Sequence, residues 1–267
     1  MSNLFIVPHD FTSVGDAALQ YALFLAKPKS TTIELLHIVS DKSKGKEAYA
    51  KLLSIIEKLD LPSPNIQVTP LVKVGSIFDD IGKIAEEKNA GFIIMGTHGA
   101  KGMQKFLGSY AIKVVTSTSV PFLVVQESIR QIKIDKIVVP IDETKESLQI
   151  INHAGNVARL FDAEVHIVVE KQRDPRLLRQ VKIRVALVNK EYQVKGVKAK
   201  VHYLDNSKSF TKKTMNFAKS IDADMIALAY YSSSLFSFDS HAQILMTNDE
   251  NLPCLIVNSK LLSKLYY

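Results

Sequence analysis

The chain has one cysteine and no tryptophan among its 267 residues. A single thiol, Cys254, excludes an intrachain disulfide framework. It lies in Pro253-Cys-Leu-Ile-Val257, an apolar run that reads as a buried strand, so a packed core side chain is expected there rather than a nucleophile. No apolar run reaches membrane-spanning length. No charged leader with a cleavage site precedes the first apolar segment, so no secretory signal is legible and a cytoplasmic location is expected. The seven histidines, His9, His37, His98, His153, His166, His202 and His241, show no metal-ligand spacing. There is no Gly-Lys-Ser/Thr phosphate loop and no Gly-x-Ser-x-Gly elbow. Asp79 and Asp80 are adjacent on a predicted helix and so do not face each other. No catalytic residue is expected, and no metal ligand.

What is present is an ordinary globular composition, 46% hydrophobic and 23% charged. Lys and Arg number 34 against 27 acidic residues, a net charge of +7 that favours anionic partners in general. The densest basic stretch runs from Arg173 through Arg184 to Lys200. Its first part is predicted as a helix whose apolar face is Leu178, Val181, Val185 and Val188, with the basic residues on a solvated outer face. No aromatic residues interleave them, so nucleic acid is not an expected partner, and neither is a membrane.

The sequence is written twice. Ile6-Val7-Pro8-His9-Asp10 recurs as Val138-Val139-Pro140-Ile141-Asp142, and Val120-Pro121-Phe-Leu-Val-Val125 recurs as Leu252-Pro253-Cys-Leu-Ile-Val257; both offsets are 132 residues (142 − 10 and 253 − 121). Ala90-Gly-Phe-Ile-Ile-Met95 answers to Ala223-Asp-Met-Ile-Ala-Leu228 one residue out of step. A repeat this long is a whole domain. The expected organisation is a first domain over 1–127, a linker over 128–135, a second domain over 136–258 and a tail over 259–267.

Strands are predicted near 3–8, 32–39, 66–74, 91–96 and 121–126, and again near 136–141, 164–170, 197–204, 224–230 and 253–258. Helices are predicted in the first copy near 13–27, 43–60, 77–89 and 109–118, with Ser13 and Ser76 as caps. Alternation of strands and helices with continuous apolar strand runs implies an α/β fold. Each copy should be a doubly wound, Rossmann-like domain with a five-stranded parallel sheet and helices on both faces. Ligands of such sheets bind beyond the carboxyl ends of the strands, where strand order reverses.

The candidate site follows from that rule. Gly96-Thr-His98-Gly99 leaves the predicted fourth strand directly after Met95, and Gly108-Ser109 precedes a predicted helix that begins at Tyr110. Spaced glycines leading to a helix start let backbone N–H groups approach an anion, which suits phosphate. Asp10 ends the first strand. If strands one and four are neighbours, it meets the glycine loop, where it can accept from a ribose hydroxyl or an adenine amino group, or cap the first helix, or do both. His98, in the loop, either faces phosphate or turns to solvent. Ser109 has no paired base, so no nucleophilic role is expected for it.

With these residues in view, the chain resembles a tandem member of the universal stress protein family. The family pattern is an Asp after the first strand, then Gly-x-x-Gly, nine residues and Gly-Ser/Thr after the fourth. Here Pro8, His9 and Asp10 stand in the first position and Gly96, Gly99, Gly108 and Ser109 in the second, with an eight-residue spacer, Ala100 to Leu107. Ile38 matches the family's apolar adenine contact at the end of the second strand. The resemblance implies an adenine-nucleotide site, with ATP (with or without Mg) as the ligand. It further implies a regulatory stress-response role in which nucleotide acts as a conformational ligand. The alternatives are an interaction module for an unknown protein that binds no nucleotide, and a slow ATP hydrolase. The two copies are expected to pack as an intramolecular pseudo-dimer through their fifth strands, and the apolar tail 260–267 offers a surface for a homo-oligomer. The second copy keeps Asp142 but has no glycine in Tyr230 to Asp239, so it is expected to be degenerate. Tyr230, Tyr231, Phe236 and Phe238 are read there as filling the crevice or forming a partner surface.

Overall fold

The computed structural model describes residues 2–98, 113–128, 133–142, 144–205, 209–230, 244–246 and 248–259. Gly99, Gly108, Ser109 and Tyr110 of the candidate site lie outside the described residues, as do Tyr231, Phe236, Phe238 and the tail from Lys260 onward. The chain divides into two compact units, Met1–Ile132 and Lys133–Tyr267.

Unit one contains β1 (Leu4–Pro8), α1 (Ser13–Ala26), β2 (Thr31–Val39), α2 (Gly45–Ile56), β3 (Ile66–Val74), α3 (Asp80–Glu87), β4 (Phe92–Thr97) and β5 (Phe122–Gln126). Its strands are ordered β3-β2-β1-β4-β5, and every pair is parallel. The continuous apolar runs Phe5-Ile-Val7 and Phe92-Ile-Ile94 are buried, as strands covered on both faces require. β3 pairs only with β2, and this free edge tolerates Pro70, which has no N–H to give a second neighbour. α1 packs against β4 and β5, and α2 against β3 and β2.

Two expected helix starts differ from the structure. The N-cap of α1 is Thr12, not Ser13, whose hydroxyl is turned elsewhere. α3 begins at Asp80 rather than near residue 77, because the Asp80 carboxylate accepts the Ser76 N–H at 2.7 Å and closes a separate turn first. Ser76 caps no helix; its hydroxyl accepts from the Phe78 N–H within that turn. Gly75 makes this possible, since a Cβ there would meet the Asp80 carboxylate at 2.0 Å.

Unit two contains β6 (Lys136–Ile141), a 3₁₀ turn (Glu146–Ile150), α4 (Ile151–Phe161), β7 (Glu164–Glu170), α5 (Pro175–Lys195), β8 (Lys198–Leu204), α6 (Phe210–Ser220), β9 (Met225–Tyr230) and β10 (Cys254–Asn258). The order is β8-β7-β6-β9-β10, again all parallel. Cys254 is fully buried, and burial pushes its thiol pKa upward, away from reactivity. α5 is the helix expected in the basic stretch. Asp174 caps it by accepting from Arg176 and Leu177 N–H groups, Pro175 opens it, and Val181, Val185 and Val188 are buried.

Candidate functional site

The crevice of unit one forms where its sheet opens. β1 pairs with β4 only at Phe5↔Phe92 and Ile6↔Ile93, while its pairing with β2 continues to Pro8↔Leu36. The strand order reverses here: β2 and β3 lie to one side of β1, and β4 and β5 to the other. Pro8 sits beyond the last β4 pair, where its missing N–H costs the ladder nothing. The carboxyl ends of β1 and β4 therefore splay, and the segments after them border one crevice.

Asp10 closes the turn after β1. Its Oδ1 accepts from the Thr12 N–H at 3.1 Å and from the Thr12 hydroxyl at 2.6 Å. The sequence left a helix cap open for Asp10; the bond is instead an Asx turn that presents Thr12 as the cap. Among the described residues Oδ2 has no hydrogen-bond partner, and Asp10 is exposed, so one oxygen builds the turn and the other is left for a further partner.

His9 does not face the crevice. Its ring is buried, with its carbons at 2.9 Å from where a Gly15 Cβ would stand. Nδ1 accepts the Phe11 N–H at 3.0 Å, which assigns the proton to Nε2, and Nε2 lies 3.1 Å from Asp16. His9 is therefore a wedge between β1 and α1, and only its backbone borders the crevice. Between the two, Phe11 takes left-handed backbone geometry at φ 64°, unusual for a bulky side chain. Its ring lies 4.3 Å from that of His37, whose Nδ1 donates to the His9 carbonyl at 2.7 Å. The Lys51 ammonium of α2 sits 5.6 Å from the Phe11 ring centre and pairs with Glu47 at 2.7 Å. Ile38 is half-buried near the end of β2, the residue after His37.

On the other side, Met95 is half-buried and Gly96 pairs with Val125. The structure gives Gly96 a packing role: a Cβ there would stand 2.1 Å from the Val14 carbonyl oxygen and 2.6 Å from its Cγ1. The bare backbone lets the first turn of α1 close onto β4. His98 follows, half-exposed, and its Nδ1 lies 3.0 Å from Glu127 Oε2. Glu127 Oε1 accepts the Ser13 hydroxyl at the start of α1. These hydrogen bonds, the Ser13 one first and the His98 one second, hold the Glu127 carboxyl below its usual pKa. Glu127 thus ties the end of β5 to the first turn of α1 and to the root of the glycine loop. Sequence reasoning missed it. The signal was its position: Glu127 directly follows β5, so the rule that located Asp10 applies to it equally.

Unit two repeats the turn and alters the rest. Asp142 Oδ1 accepts from the Thr144 N–H at 2.8 Å and its hydroxyl at 2.6 Å, the same turn as at Asp10. Strand registers align Ala229 with Gly96, since each pairs with the corresponding valine, Val257 or Val125. Tyr230, aligned with Thr97, is buried. Ser259 stands at the position of Glu127, fully buried, and donates to the Tyr230 carbonyl at 2.8 Å. Arg184 was read as part of a solvated face. It is instead partly buried, and its Nε donates to the Thr144 carbonyl at 2.9 Å. Among the described residues no cluster of three or more His, Cys, Asp or Glu could hold a metal, and no helix is long and apolar enough to cross a membrane.

Unit one is a doubly wound α/β domain of the kind that takes ligands at its switch point, and unit two is a second domain of the same fold. The model of the universal stress protein family matches residues 1–126, which is nearly the whole of unit one. Two universal stress proteins of Methanocaldococcus jannaschii, MJ0577 and MJ0531, are each 25% identical to it, over 150 residues (45% of this chain, 93% of the relative) and 142 residues (46% and 81%). The crystal structure of a universal stress protein from Archaeoglobus fulgidus shares the tandem fold, covering 97% of this chain and 99% of its own at 19% identity and a TM-score of 0.77.

Proposed function

We propose that unit one binds an adenine nucleotide and that the protein is a regulatory stress-response protein in which the nucleotide acts as a conformational ligand. The observation that carries this reading is the meeting of two segments at the switch point. One is the Asp10 turn, with a carboxylate oxygen left for a ribose hydroxyl or a base amino group. The other is the run Met95-Gly96-Thr97-His98, which leads into Gly99, Gly108 and Ser109, where backbone N–H groups would receive phosphate. Ile38, near the end of β2, would supply the apolar wall for the base. The match of residues 1–126 to the model of the universal stress protein family supports the same assignment. ATP is the ligand this reading favours, with Mg carried by the nucleotide. A ligand bound only by the native fold stabilises it by mass action, and this is how nucleotide level would be read out. Unit two lacks the glycines and carries Tyr230 and Ser259 where unit one has Thr97 and Glu127, so one site per chain is proposed.

The test is to heat-denature the purified protein and analyse the released small molecules by mass spectrometry. Adenine nucleotide in near-stoichiometric amount is the expected result. Protein that carries none, and whose melting temperature does not move with added AMP or ATP, would leave unit one as an interaction module without a nucleotide.

A further inference from the structure

α5 is the longest described helix, 21 residues against 12 for α2, which likewise follows the second strand of its unit. It is apolar on two faces. Val181, Val185, Val188 and Tyr192 turn inward and are buried. On the other side, Arg176, Gln180, Ile183, Leu187, Lys190 and Val194 succeed one another at alternating steps of four and three residues, and all six are exposed. Ile183 and Leu187 are each 53% exposed and Val194 78%, so three aliphatic side chains stand in water on one line. The charge around that line has one sign. Within α5 are Arg176, Arg179, Lys182, Arg184, Lys190 and Lys195 against a single acid, Glu191, which is paired with Lys195 at 2.8 Å. Asp174 caps the helix, and Arg184 turns to the Thr144 carbonyl. α5 packs against α4 and β8, which contain no acid, and Asp162 at the end of α4 is paired with Lys198. Arg176, Arg179, Lys182 and Lys190 make no ion pair among the described residues.

We propose that the outer face of α5 is a docking surface for an acidic amphipathic helix of another protein. Side chains at alternating four- and three-residue steps form the seam that a facing helix fills. Ala186, small and exposed beside Leu187, leaves room for a close approach. Lys190 stands in the seam between Leu187 and Val194, so the partner must set a carboxylate against it, and that pairing fixes the register. Arg176, Arg179 and Lys182 carry the positive field over the first half of the helix and steer an acidic partner. A second copy of this chain would bring the same four unpaired cations to the contact and is disfavoured. A bilayer calls for a broad apolar face with large anchors. This line is one side chain wide, has no aromatic residue and is broken by Lys190. No residue of unit one takes part, so the surface is independent of the nucleotide site.

The experiment measures binding of two labelled peptides, each as long as α5, to the full chain by fluorescence anisotropy. One peptide has Leu along its seam, Glu on both flanks and one Glu in the seam to meet Lys190. The other has the same composition in shuffled order. The wild type should prefer the patterned peptide about tenfold, with an affinity that falls as salt rises from about 50 to about 300 mM. Leu187→Asp and Lys190→Glu, both at exposed positions, should each remove that preference. A patterned peptide with Lys in place of the seam Glu should restore it for Lys190→Glu alone. Equal affinity of the wild type for the two peptides overturns the docking surface and leaves only diffuse charge attraction. Wild-type affinity in either variant, or no binding of the patterned peptide, overturns it as well. Sedimentation with vesicles of about three parts phosphatidylcholine to one part phosphatidylserine, lost in Leu187→Asp, overturns it in favour of a lipid surface.

Discussion

The two units start from the same turn and diverge within a few residues of it. Asp10 and Asp142 close their turns with the same pair of bonds to Thr12 and Thr144. The turn is thus common to both units, and it does not by itself distinguish them. The differences lie one strand over. Gly96 lets the carbonyl of Val14 approach β4, and α1 follows directly as an α-helix from Ser13. Unit two carries Ala229 there, and its matching segment enters through a 3₁₀ turn before α4. Thr97 becomes Tyr230, and Glu127 becomes Ser259. The comparison teaches that the same turn can sit in different surroundings: beside a half-exposed His98–Glu127 pair in one unit, and beside buried Tyr230 and Ser259 in the other.

The contrast can be broken most directly at the glycine loop. Gly99→Val should abolish nucleotide binding while the far-ultraviolet circular dichroism and melting cooperativity stay those of the parent. On the proposed reading, a β-branched side chain there would occupy the space that phosphate needs. Wild-type affinity in this variant would remove the loop from the site.

The next largest effect is on acid stability, and it belongs to unit two. Burial, then the charge of Lys195, holds His153 down to about 4 from 6.5, and its Nδ1 has no partner. His166 and His202, linked at 3.1 Å, are lowered in the same direction, first by burial. A histidine kept neutral by the fold takes up its proton on unfolding. Its contribution is whole above pH 6.5 and is lost as pH falls toward 4. At about 1.4 kcal/mol per pH unit, His153 accounts for up to about 3 kcal/mol of that loss. His153→Leu should flatten the fall in denaturation midpoint between pH 7 and pH 4.5, with hydrogen exchange in α4 reporting the change. An unaltered slope would show that the ring is solvated.

A smaller effect should separate Gly96 from its counterpart. Gly96→Ala is expected to cost about 1–3 kcal/mol of stability, because the new methyl meets backbone rather than a movable side-chain end. Ala229→Gly should cost roughly 0.5–1 kcal/mol through chain entropy alone. Equal and small losses in chemical denaturation would mean that α1 shifts freely and that Gly96 has no packing role.

Much of this architecture was legible beforehand, for physical reasons that also explain the gaps. All ten described strands lie within a residue or so of the expected positions; the inner ones are written as unbroken apolar runs because both their faces are buried, while the edge strands β3 and β8 are not. Strand order placed β1 beside β4, as the Asp10 argument required. Side-chain roles were harder to read. The glycine at 96 was assigned to phosphate, yet its nearest demand is the Val14 carbonyl, a contact between segments some eighty residues apart that no local pattern encodes. Ser13 looks like a cap in sequence, but its partner is Glu127, 114 positions away. His9 reads as a site residue by motif, yet the space beside Gly15 draws its ring into the interface of β1 and α1. Arg184 disappears into a run of basic residues until the return of α5 brings it to Thr144.

The central claim, one nucleotide site per chain in unit one, meets its most direct test in calorimetric stoichiometry on the wild type beside Asp10→Ala and Asp142→Ala. The account predicts one adenine nucleotide per chain. Asp10→Ala should weaken binding by about 1–3 kcal/mol, as for an unpaired polar group, and Asp142→Ala should leave affinity unchanged. Two equivalent sites per chain, or a loss of binding in Asp142→Ala rather than in Asp10→Ala, would contradict it.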